Sequence, residues 1–197
     1  MSDDRSIDIK VDVSEVVKAM EAMGRRSLNL RPFFGAVGTI LIKSAHENFD
    51  HQGRPAKWKG WAPLTKQIYE QGAIDSAMKS HKTKAGQNRQ IIRNLGALGT
   101  RKILQNSGEL RKSIVQGRLT ASEVEVGSSL IYARLHQLGG SIVPKKKRAL
   151  FIPIGGGQYK ILKRVKVPAR PFLVLQQTDV QVILRMAKDY VTRGEIG

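Results

Sequence analysis

At 197 residues, 41% of them apolar, the chain suits one domain with a sizeable core and is cramped for two. No run of about 18 apolar residues exists to span a bilayer, and the opening MSDDRSIDIKVDV lacks the basic start and apolar stretch of a secretory signal, so cytoplasmic synthesis is expected. Cysteine is absent, which removes disulfides, zinc ribbons, iron–sulfur clusters and thiol nucleophiles together, and a formal net charge of +18 calls for a polyanion or an acidic protein surface nearby.

Taken in chain order, Ile7, Ile9, Val11 and Val13 alternate with polar residues, the period of a half-buried strand. Asp12 and Glu15 read as a capping box that opens a short helix through Val16, Val17, Met20 and Met23 and stops near Gly24. Pro32 suits the first turn of a longer helix carrying Phe33, Val37, Ile40, Leu41 and Ala45 on one face and ending around Asp50 to Gly53. Glycine and proline make the stretch from Gly53 to Leu64 an irregular turn, after which Thr65 can cap a short helix over 66–71. Residues 72–102 are poor in large apolar side chains and rich in Lys, Arg, Ser, Gly and Gln, which predicts an exposed, flexible basic excursion with some helix over 90–98. Asn106 or Ser107 can cap a short helix through Glu109, Leu110 and Ile114.

Strands are expected over 113–119, 123–127, 149–154 and 159–167, the last two joined across Gly155, Gly156 and Gly157 as a hairpin. Between the pairs a helical spacing over 130–138 stops at Gly139 and Gly140. Thr178 and Gln181 form a capping box for a final helix with Val180, Ile183, Leu184, Ala187, Tyr190 and Val191 on one stripe. The fold class expected is α+β, a small antiparallel sheet packed by two longer helices, in a single domain spanning 1–197.

Catalytic chemistry finds little support. His46 and His51 are five apart rather than four, no HExxH or carboxylate cluster accompanies them, and the acids after residue 100 are scattered, so no metal, cofactor or catalytic residue is assigned and an enzyme is not expected. Neither a P-loop nor a dinucleotide fingerprint is present. Charge is the stronger signal: residues 143–170 carry nine Lys or Arg and no acid. Lys145, Lys146, Lys147 and Arg148 precede the first hairpin strand, and Lys160, Lys163, Arg164 and Lys166 are placed on the second. Such a ribbon suits phosphate or partner contact, whereas the plainer reading is a solvated edge kept from aggregating by its lysines. Trp58 and Trp61 share one Gly/Pro turn instead of lying across strands as a base-stacking platform does, so both indoles are expected to fold back onto the helix at Phe33–Leu41. His136, one turn after Tyr132, reads as a packing or interface histidine.

Five segments in fixed order resemble the phage virion morphogenesis (tail-completion) family of tailed phages such as Mu: WAPLT at Trp61–Thr65, ILQNSGELRKSI at Ile103–Ile114, VEVGS at Val124–Ser128, YARLHQLGG at Tyr132–Gly140 and VPARPFL at Val167–Leu173. The resemblance implies a structural virion protein that completes the tail and joins it to the head, as a ring subunit, hexameric by preference, around the DNA channel. It implies tail and neck proteins as partners and a tail-neck location, and in such an assembly Tyr132, His136, Arg170 and Phe172 are structural or interface residues. From the residues themselves come the other expectations: non-specific contact of the basic hairpin with genomic DNA, no membrane, and a structural role for Trp58 and Trp61. The alternative is a stand-alone nucleic-acid-binding protein without sequence preference, whose basic hairpin is its working surface.

Overall fold

The computed structural model describes residues 7–10, 14, 17, 18, 20 and 30–193. Most of the helix expected through Val16 and Met23 lies outside them, although Ser14, Val17, Lys18 and Met20 are helical and Met20 is buried.

The core lies between a long helix, α1 (Arg31–Asp50), and a three-stranded antiparallel sheet of β1 (Ile7–Lys10), β2 (Ile114–Leu119) and β3 (Val124–Ser128), in the order β1-β3-β2. Pro32 sits in the first turn of α1, where a missing N–H is harmless. Phe33, Phe34, Val37, Leu41, Ala45 and Phe49 then recur at helical spacing and are all buried. They meet Val124 and Val126 of β3 and Ile114 of β2, with Ile9 paired to Val126 across the sheet. The C-terminal helix α6 (Gln177–Arg193; α2 to α5 follow below) covers α1 through Ile183, Met186 and Ala187, and the Tyr190 ring stacks on Phe33 at 6.0 Å. The antiparallel sheet and its two longer helices are therefore those the sequence pattern predicts. The α6 cap differs: Asp179, not the pair Thr178 and Gln181, accepts from the Gln176 amide at 2.9 Å and takes the Ser44 hydroxyl at 2.5 Å, which ties the start of α6 to α1.

The expected basic excursion is exposed, yet it is a helical hairpin rather than a flexible loop. Helix α2 (Pro63–Ser80) starts at Pro63 and not after Thr65, and α3 (Lys84–Leu98) returns along it. Each is made by local devices instead of an apolar stripe. Thr83 accepts from the Gly86 amide as the N-cap of α3, Gln71 bonds Asp75 and Gln90 bonds Asn94 one turn on, and Asn94 reaches across to the Ala73 carbonyl at 3.0 Å. Only Ala77 of the two helices is buried.

A short helix α4 (Glu109–Lys112) leads into β2, with Gly108 as its cap residue, while the Ser107 hydroxyl takes the Glu109 amide at 3.3 Å. After β3 come α5 (Ala133–Leu138), β4 (Gly140–Ile142), the hairpin β5 (Leu150–Gly155) and β6 (Gln158–Leu162), and β7 (Val165–Val167). The single strand expected over 159–167 is broken at Lys163 and Arg164: β6 pairs with β5, whereas β7 pairs with β4, a strand that three residues beside a glycine pair did not announce.

Candidate functional site: a motif cleft and a cationic hairpin

The segment Val167–Leu173 is the strap around which the resemblance motifs gather. Phe172 is fully buried against Phe49, with ring centroids 5.4 Å apart. Burying its main chain leaves amides and carbonyls that need partners, and three side chains supply them. The Gln137 carboxamide accepts from the Phe172 and Leu173 amides at 2.9 and 3.0 Å and donates to the Leu173 carbonyl at 2.9 Å. Asn48, fully buried within the apolar face of α1, donates to the Phe172 carbonyl at 2.9 Å. Trp58 Nε1 donates to the Pro171 carbonyl at 2.9 Å. Arg170, only 7% exposed, completes the clamp by donating to the carbonyls of Lys59 and Gly60 at 3.0 and 2.8 Å, so the strap holds the tryptophan turn in place.

The two tryptophans thus part company, and neither lies on the helix segment Phe33–Leu41 as expected. Trp58 is buried edge-on against Phe49, at the opposite end of α1. Its position follows from Arg54, whose guanidinium binds Asn48, Glu47 and Ser44 and draws the turn back along the helix end. Trp61 is half-buried, packed on Tyr69 of α2 at 5.0 Å, with the Arg101 guanidinium 5.1 Å from the Tyr69 ring centroid on the tyrosine's account.

Trp61, Leu64 and Tyr69 form one wall of a cleft of about 360 Å³; Leu104 and Leu110, Tyr132 and His136, and Val165 to Pro168 form the others. Four of the five motif segments meet here, while Val124–Ser128 lies in the sheet behind. Tyr132 and His136 stand edge to face at 6.1 Å, and Tyr132 donates weakly to Glu109 at 3.5 Å. Burial first, and the Glu109 carboxylate second, hold the Tyr132 phenol above its ordinary pKa. Burial first, and the Arg170 guanidinium second, push His136 below the usual histidine value, and its Nδ1 is buried without a hydrogen-bond partner. Arg170 itself is lowered by burial, a cost offset by its two carbonyl bonds. His136, half-buried beside the Arg170 guanidinium, forms part of the cleft wall.

The cationic hairpin differs from the ribbon expected over 143–170. Of the second-strand cations only Lys160 lies on β6; Lys163 and Arg164 occupy the break after it, and Lys166 is on β7. Lys145, Lys146, Lys147 and Arg148 are exposed in the loop entering β5, so the charge collects at the open end of the hairpin. At the closed end Gly155, Gly156 and Gly157 all take positive φ, and Asp75 of α2 accepts the Gly156 amide at 2.8 Å. That bond, after the one from Gln71, lowers the Asp75 pKa.

Sequence reasoning missed Asn48, Arg54 and Gln137, the polar residues that organise the strap; an asparagine on an otherwise apolar helix stripe was the available signal. Among the described residues no helix is long and apolar enough to cross a membrane, and no group of three or more His, Asp or Glu could share a metal ion.

The profile of the phage virion morphogenesis family matches residues 11–192. The chain is 25% identical over 185 residues, covering 93% of itself and 95% of the relative, to the Mu-like prophage FluMu G protein 2 of Haemophilus influenzae. No solved structure matches. With nearly its whole length accounted for by that profile, the chain belongs to the phage virion morphogenesis family, and its role is in building the virion.

Proposed function

We propose that the protein completes the phage tail and joins it to the DNA-filled head, as one subunit of a ring, hexameric by preference, at the tail-neck junction. The observation that carries this reading is the family match over 11–192 together with the use to which the motif residues are put. Trp58, Arg170, Phe172 and Gln137 are spent on fixing one strap and one turn, which makes them scaffold. What they leave outside is surface suited to neighbours. Two two-stranded sheets, β4-β7 and β5-β6, have open edges, and Ile131, Leu138, Ile142 and Val143 are exposed near the first of them. A ring subunit needs two different faces to meet its neighbours head to tail, and open strand edges supply such faces. In this reading Tyr132, at 39% exposure, sits at an interface, and the partners are tail and neck proteins.

The exposed cations of the hairpin root favour a second reading, contact with the phosphate backbone of the passing genome, and a stand-alone nucleic-acid-binding protein is its extreme form. The two are separated genetically, by removing the gene from its phage or prophage and restoring it in trans. Filled heads accumulating beside unjoined tails support the joining role; normal joined particles reject it.

A further inference from the structure

The strands of the basic hairpin turn an apolar face outward. In β5 the alternate residues Leu150, Ile152 and Ile154 are half-buried, the face that meets α2, and Phe151 and Pro153 point the other way. The register sets Phe151 opposite Ile161 and Pro153 opposite Tyr159. These four side chains form one block, with Phe151 57%, Tyr159 64% and Ile161 62% exposed. A solubilising edge strand requires lysines but no exposed aromatic block on its face.

Around this block stand Lys145, Lys146, Lys147, Arg148, Lys163 and Arg164, all exposed and none in an ion pair among the described residues. Lys147 Nζ lies 6.0 Å from the Phe151 ring centroid, so the rim is directly continuous with the apolar centre. Duplex DNA satisfies the rim but lays polar sugar and phosphate against the centre, which gains nothing from that burial. An apolar partner covers the centre and strands the cations. A protein surface with an apolar middle and an acidic border satisfies both, and aromatic centres with charged rims are where protein interfaces concentrate their energy and their selectivity. A second copy of the chain carries a formal net charge of +18, so like charges oppose it at a cationic rim.

The geometry points to the outer face of β5-β6 as the docking surface for a different, acidic protein, with Phe151, Tyr159 and Ile161 as its anchors and the root cations as its selectivity rim. This rests on the assembly reading above and names the chemistry of one partner within it. The test places p-benzoylphenylalanine at position 159 of the full chain, in place of Tyr159, and irradiates during particle assembly. The expected product is an adduct with one virion protein of net negative charge. Its yield falls by about tenfold or more when Lys145, Lys146, Lys147 and Arg148 are changed to Glu, and likewise in Phe151→Ser with Ile161→Ser, all at exposed positions where folding is checked by circular dichroism. An adduct with another copy of the chain, an adduct with DNA, or no adduct while particles assemble overturns the inference. An adduct with an acidic protein that never enters the virion supports the surface and contradicts the joining role, so the two claims fail separately.

Discussion

Arg170 joins the strap to the tryptophan turn through two charge-assisted bonds to carbonyls, and at 7% exposure no water stands ready to replace it. Arg170→Ala is expected to cost about 2–4 kcal/mol, from hydrogen bonds to a charged group worth roughly 1.5–3 kcal/mol each with partial relaxation; urea unfolding measures it. An unchanged midpoint contradicts the clamp. Arg170→Lys recovers little, because a single ammonium cannot reproduce the planar fork. His136 adds a pH dependence. Its folded-state pKa lies below the unfolded value of about 6.5, so the unfolded chain takes up the proton first as pH falls. The stability present above that value is lost progressively as pH drops through and below it. His136→Leu is expected to flatten this part of the profile, read as the unfolding midpoint at a series of pH values; the same slope in both proteins contradicts the assignment.

At the scale of elements, legibility followed the source of each element's stability. Helices α1 and α6 bury a stripe, and a stripe of Phe33, Val37, Leu41 and Ala45 is written in the spacing. Helices α2 and α3 bury almost nothing and stand on caps and side-chain pairs one turn apart, signals too local to show in apolar periodicity. Strand β4 pairs with β7, a contact between distant residues that no local pattern carries. Gly139 shows what such tertiary constraints demand. Its φ is +72°, and an added Cβ would lie 2.6 Å from the Ala169 amide nitrogen, against the strap's backbone. Gly139→Ala is expected to destabilise by at least about 2 kcal/mol, since strained backbone alone costs roughly 1–3 kcal/mol. Gly72, inside α2 with open space around it, gives the opposite sign: Gly72→Ala is expected to gain up to about 1 kcal/mol. Thermal unfolding of the pair checks both directions, and equal shifts contradict the contrast.

The whole molecule carries +18, and its charge gradient was visible in the sequence, as was the family through five ordered segments. What the segments do was not visible. Trp61 and Arg170 are 109 positions apart in number, yet the strap brings Arg170 onto the Lys59 and Gly60 carbonyls beside the tryptophan, a convergence that only the fold creates. The apolar block of the hairpin is half legible: Tyr159 and Ile161 alternate with polar residues in QYKIL, whereas LFIPI is an unbroken apolar run that hides which of its residues face outward. In the proposed reading, the cations at the root and the aromatics on the face are where this protein meets a partner. On the proposed role, heads and tails fail to meet without this chain. Electron microscopy of lysates from the gene-deleted phage or prophage, counting filled heads with and without attached tails, addresses it most directly. The expected result is filled heads and complete-length tails lying apart, with joined particles restored by the gene in trans; joined, filled particles in the deletion lysate contradict the joining role.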